Sequence, residues 1–201
     1  MTSVAVPVLW DSLARTGDAA AEILSTADAK THLRIDGPDE DVYVAALVKA
    51  ARMAIEEWTS RATTNQTWVM TLDAFPDEDE IRLPRPPLSS VTTLQYVDGA
   101  GATQTWSSAN YTVVTRDTPG RIRLAYGVTW PATREQPDAV TITYVAGYGA
   151  AASSVPAPLV HAARLVLGDL YGLREAGIVG TVHAANPAVD ALLAPYIVRM
   201  H

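Results

Sequence analysis

The feature that most constrains the fold is a change of hydrophobic period along the chain, from helical to extended and back to helical. Val44, Leu47, Val48, Ala51, Ala54, Ile55 and Trp58 recur at i, i+3, i+4, i+7 spacing, which lays one apolar face along a helix. After Arg61 the period shortens to two. Thr67–Leu72, Glu80–Leu83, Val91–Val97, Thr103–Trp106, Tyr111–Val114, Arg121–Leu124 and Val140–Val145 are rich in β-branched and aromatic residues, the composition of strands. Turn-formers separate them: Pro76-Asp77, Asp98-Gly99, Pro119-Gly120 and Gln136-Pro137-Asp138. Beyond Pro156 and Pro158 the helical period returns in Leu159, Ala163, Val166, Leu167 and Leu170. A short last helix is expected over Pro187–Leu193, with Pro195 ending it.

Helices, then strands, then helices predict an α+β fold rather than an alternating parallel sheet. Neither long helix can bury its own apolar face alone. The simplest arrangement is a small helical bundle built from residues 26–62 and 156–195, with an antiparallel β domain, residues 66–149, inserted between its halves. Leu47, Ala51, Ala54, Trp58, Val166 and Leu170 are the expected shared core. Ser25 and Asp28 form a capping-box pattern ahead of a first short helix, which Asp36-Gly37-Pro38 stops. Pro38 suits the first turn of the long helix, with Asp39, Glu40 and Asp41 beside its positive dipole end. Residues 1–25 are left as an N-terminal extension and 196–201 as a C-terminal tail.

Composition narrows the function classes. Of the 201 residues 48% are hydrophobic and 18% charged, a globular balance. Cysteine is absent, which removes disulfide scaffolds and thiolate metal sites and fits a reducing cytoplasm. Net charge is −7, and the fifteen Lys and Arg residues form no dense run, so no nucleic-acid-gripping stripe is expected. Pro7 and Asp11 interrupt the apolar N-terminal stretch before it reaches the length of a signal peptide or membrane span.

No chemistry-bearing constellation emerges. There is no Gly-x-Ser-x-Gly elbow, and His32, His161, His183 and His201 are isolated from any ligand spacing. No catalytic residue, cofactor or metal site is therefore expected. Asp77-Glu78-Asp79-Glu80 could hold a cation or supply paired carboxylates, but without a glycine-bearing calcium loop it reads as a solvated turn. Gly99-Ala100-Gly101-Ala102 lacks the Gly-Lys-Ser/Thr of a phosphate loop and reads as a hairpin turn. Trp68, Trp106 and Trp130 offer a sugar- or base-stacking platform, against which stands the commoner use of Trp as core or interface. Leu83-Pro84-Arg85-Pro86-Pro87 reads as a stiff connection between strands.

Several blocks, taken in order, resemble the head–tail connector (adaptor, or head-completion) proteins of long-tailed phages and phage-derived gene transfer particles. The opening block is Ala29-Lys30-Thr31-His32-Leu33-Arg34-Ile35-Asp36 followed by Asp39-Glu40-Asp41. Gln66-Thr67-Trp68 leads into Leu72-Asp73-Ala74-Phe75-Pro76. The most specific block is Ile81-Arg82-Leu83-Pro84-Arg85-Pro86-Pro87-Leu88-Ser89-Ser90-Val91. Tyr126-Gly127-Val128-Thr129-Trp130-Pro131, Arg134, Pro137-Asp138-Ala139-Val140 and Val145-Ala146-Gly147-Tyr148-Gly149 continue it. Pro156-Ala157-Pro158-Leu159 and Leu192-Leu193-Ala194-Pro195-Tyr196 complete it. The resemblance spans roughly residues 27–196.

The resemblance implies a structural virion protein and not an enzyme. It implies a homo-oligomeric ring, expected to be dodecameric, docked below the portal protein at the head–tail interface. Such a ring extends the DNA channel, surrounds DNA without binding it specifically, and presents a platform to the stopper or tail. No membrane partner is implied. The tail, Tyr196, Ile197, Val198, Arg199, Met200 and His201, is unusually apolar for a chain terminus, which suggests a surface completed by a partner; the resemblance makes that partner the portal, the alternative being that the tail packs back on its own helices. The rival readings are another neck or tail component such as a stopper, a carbohydrate-binding module built on the Trp residues, and a hydrolase using the acidic turn.

Overall fold

A computed structural model describes residues 10–173 and 186–198. The elements run β1 (Ser12–Arg15), α1 (Thr26–Leu33), α2 (Asp41–Thr59), β2 (Gln66–Leu72), β3 (Glu80–Arg82), β4 (Leu88–Val97), β5 (Thr103–Thr105), β6 (Tyr111–Val114), β7 (Arg121–Leu124), β8 (Val140–Ala146), α3 (Ala157–Gly172) and α4 (Pro187–Leu193). This is the α+β architecture expected, with every strand pairing antiparallel. The described residues form two compact units, one from 20–64 with 148–173 and 186–198, the other from 10–19 with 65–147.

In the helical unit, Ser25 caps α1, its hydroxyl accepting from the Asp28 backbone N–H. Arg34 closes α1 and Ser60 closes α2, each in the left-handed conformation, at φ 58° and 54°. Their backbone N–H groups satisfy carbonyls of the last turn. α2 begins at Asp41, three residues after Pro38, because Pro38–Asp41 form a turn whose hydrogen bond runs from Asp41 N–H to the Pro38 carbonyl. Val44, Val48, Ala51 and Ile55 of α2 pack with Leu159, Ala162, Ala163 and Leu167 of α3 and with Val189 and Leu193 of α4. Leu47, Val166 and Leu170 lie half-buried against this core.

Two of the expected core residues are not in it. Ala54 is exposed, and Trp58 is 47% exposed. The buried face of α2 is turned toward Arg52, Glu56 and Thr59 instead. Arg52, only 1% exposed, donates from Nε to Glu22 Oε2 and from Nη1 to Glu56 Oε2, both at 2.8 Å. Glu56 Oε1 accepts from the Thr63 hydroxyl at 2.6 Å and from the Thr63 N–H at 3.1 Å. Burial alone would lower the affinity of the guanidinium for its proton. The bonds and charges of Glu22 and Glu56 outweigh that and hold its pKa above the usual value. A charged pair is tolerated inside because each of its members is hydrogen-bonded.

In the β unit, a five-stranded sheet has the order β1-β2-β8-β4-β5 and a three-stranded sheet the order β3-β7-β6. β2 and β8 alternate strictly, burying Gln66, Trp68, Met70 and Leu72 on one strand and Val140, Ile142, Tyr144 and Ala146 on the other. Their register pairs Met70 with Ile142 and Trp68 with Tyr144. β4 joins the other edge of β8 with two register shifts, between Leu88 and Ser90 and between Val91 and Thr93, as expected where a strand bends. Ile81, Ile122 and Val113 align across the smaller sheet. β1 comes from a stretch for which no structure was inferred from sequence.

Candidate assembly surfaces

The features singled out in the sequence separate into a structural group and a surface group. Trp106 and Trp130 belong to a cluster with Phe75, Tyr96 and Tyr111. Phe75 and Trp130 stack at 4.8 Å with planes 7° apart, and Trp106 lies 5.0 Å from Trp130 and 5.8 Å from Tyr111. The Trp130 indole N–H donates to the Glu78 carbonyl at 2.8 Å. These rings engage one another, as a satellite core does. Trp68 stands apart from them, with the Arg85 guanidinium 5.3 Å from its ring centre.

Leu83–Pro87 is fixed at its centre, where the buried Tyr144 hydroxyl donates to the Pro84 carbonyl at 3.0 Å. Burial pushes the Tyr144 phenol well above its ordinary pKa, against the opposing charge of Arg85, so it remains a donor. The Gly99–Ala102 stretch is a turn. Asp98 Oδ1 accepts from the N–H groups of Ala100 and Ala102, each at 3.0 Å, and Gly101 sits at φ 86°, where glycine alone carries no steric cost.

The acidic turn is exposed at Asp77, Glu78 and Asp79. Glu80 is engaged, accepting from Arg121 Nη1 at 2.9 Å. A cleft of about 380 Å³ nearby is lined in part by Asp11, Asp73 and Glu78. Asp11 Oδ2 accepts from the Asp73 N–H at 2.7 Å, and Asp73 Oδ1 from the Asp138 N–H at 2.8 Å, so these carboxylates brace the backbone. Among the described residues no group of three or more His, Cys, Asp and Glu side chains is arranged to hold a metal ion, and no helix is long and apolar enough to cross a membrane. His183 lies outside the described residues.

The first half of the tail is anchored on the helical unit. Tyr196 closes a 3-10 turn, Ala194–Tyr196, and packs against the helical core. Its carbonyl accepts from Arg61 Nε at 2.6 Å, and the Val198 N–H donates to the Thr59 carbonyl at 3.0 Å. Between these two ties Ile197 is 40% exposed. Arg199, Met200 and His201 lie outside the described residues.

The profile of the head completion protein family matches residues 22–168. The chain belongs to the head completion protein family. Solved structures agree over nearly its whole length. The neck of an empty gene transfer agent (GTA) particle computed with C6 symmetry matches with a TM-score of 0.78, and the neck of a native GTA particle computed with C12 symmetry with 0.77. The virion of a native GTA particle matches with 0.76. Each is 28% identical to this chain, with 94% of this chain and 97% of the other covered. No curated protein sequence matches.

The apolar pattern of α2 did not disclose the Arg52–Glu22–Glu56 network or the exposure of Ala54 and Trp58. A signal for the first was available: Arg52 and Glu56 are four residues apart, on the helix side that carries Val48 and Ile55.

Proposed function

We propose that this head completion protein is a structural ring subunit of the virion neck, docked below the portal and joining the DNA-filled head to the stopper and tail. The observation that carries the reading is the 28% identity to GTA neck chains across 94% of this chain, together with the family match. In this reading residues 26–62 and 156–195 are the body of the ring and residues 66–149 a β domain carried on it. A ring of like subunits closes through head-to-tail contacts between two different patches.

The charge balance suits a conduit. Cationic side chains lining a bore would displace counterions from phosphate and hold the DNA. A subunit of net charge −7, repeated around a ring, sets up a field that keeps DNA from adhering. The tail, residues 196–201, supplies the portal contact: the backbones of Tyr196 and Val198 are tied down, and between them Ile197 is left exposed for a partner.

Producer cells lacking this chain test the reading. DNA-filled heads without tails should accumulate, and adding the purified chain should restore joining. Tailed particles of normal yield would contradict it. Ile197→Asp tests the tail separately, since a monomer with unchanged melting but no retention on filled heads is the expected phenotype.

A further inference from the structure

Helix α2 is apolar on its outward side as well as toward the core. Its charged pair, Arg52 and Glu56, faces inward, while its solvent side carries Val42 at 87% exposure, Met53 at 44% and Trp58. Ala46, Ala50 and Ala54 lie exposed between them. At 100° per residue Val42, Ala46, Ala50, Met53 and Ala54 share the arc away from the core, while Trp58 and Leu47 lie at its edge, Leu47 against the core, and Tyr43 meets Tyr171 of α3. Apolar side chains gathered on the exposed face of one helix, interrupted there by Glu57, offer a surface for association.

We infer that the outward face of α2 is the contact through which one copy of this chain seats against the next in the ring. This rests on the ring reading above and names the surface that closes it. Charge selects the occupant. Lys49 and Glu57 are the charged residues on this arc, and they cancel. Copies that each carry −7 repel, so they can associate only where little net charge is brought together. DNA would require a row of cations, and a basic partner would be drawn to the acidic surface instead. Size agrees: nineteen residues make a helix about 28 Å long and about 10 Å across. Its face, on the order of 300 Å², can supply only part of the about 800 Å² per partner that a stable interface buries, so the contact draws in neighbouring surface as well.

The test mixes the full-length chain with purified portal rings and reads ring occupancy by electron microscopy and native mass spectrometry. Met53→Glu and Ala50→Glu place a charge on an already exposed position, so circular dichroism and melting should match wild type. Ring occupancy should fall at least about tenfold, the effect of roughly 1.4 kcal/mol per contact. In wild-type rings, p-benzoylphenylalanine replacing Ala50 should cross-link to a second copy of the chain. Folded glutamate variants that still form full rings, or cross-links to the portal or tail protein alone, overturn the assignment while leaving the ring intact. A wild-type chain that forms no ring on portals overturns the ring reading, and this contact with it.

Discussion

At the residue scale, the buried Arg52 is a position where truncation is costly. Replacing it by Ala leaves Glu56 and its partner Thr63 enclosed without the cation that balances them. That loss should cost about 3–5 kcal/mol, read as a lowered midpoint in urea unfolding. Leu167→Ala, in the centre of the same core, should cost about 2–5 kcal/mol through the cavity it leaves. Trp58→Ala should cost much less than either, because its ring stands half in solvent. Asp98 offers a different measurement. Bonds from Gln104, then from the N–H groups of Ala102, Ala100 and Gly101, hold its carboxyl below the usual 3.8. A depressed folded pKa means that its contribution is present above the unfolded value and is lost as the pH falls through the folded one. The amide resonances of Ala100 and Ala102 should therefore titrate with a midpoint below 3.8, and a midpoint above it would contradict the turn.

At the element scale, close packing makes Gly120 a point of no tolerance. A Cβ there would lie 2.4 Å from Leu88 Cβ, an atom fixed to the backbone at the start of β4, while the Gly120 carbonyl accepts from Leu83 N–H at 2.8 Å. Gly120→Ala should destabilise the β unit by about 1–3 kcal/mol, seen as an earlier loss of tryptophan fluorescence on heating. The acidic turn behaves oppositely. Asn or Gln at Asp77, Glu78 and Asp79 should leave assembly unchanged, since exposed carboxylates contribute little. What was legible in the sequence follows the same division. Strands β2 and β8 declare themselves because alternation is strict where one face is buried, and α4 was bounded by Asn186, Pro187 and Pro195 to the residue. On α2 the period places Val44, Val48, Ala51 and Ile55 in the core, where they are, but Ala54 and Trp58 lie outside it because the buried arc extends the other way, to Arg52, Glu56 and Thr59. β1 pairs with β2 through backbone bonds, and no periodicity in four residues announces it. The tail was notable for its composition, but its ties to Thr59 and Arg61 depend on tertiary placement.

At the scale of the whole molecule, the chain combines a helical unit whose longest helix shows an apolar face to solvent with a β unit closed by its own aromatic cluster. That division suits a subunit whose helices are finished by neighbours and whose β unit is complete in itself. Family membership and the matches to GTA neck structures point the same way, toward repetition around an axis. The most direct measurement is a cryo-electron microscopy reconstruction, without imposed symmetry, of the purified chain bound to portal rings. A closed ring of copies coaxial with the portal, enclosing an unobstructed channel, is the predicted result. Single copies scattered on the portal, a plugged channel, or no added density would contradict a ring adaptor.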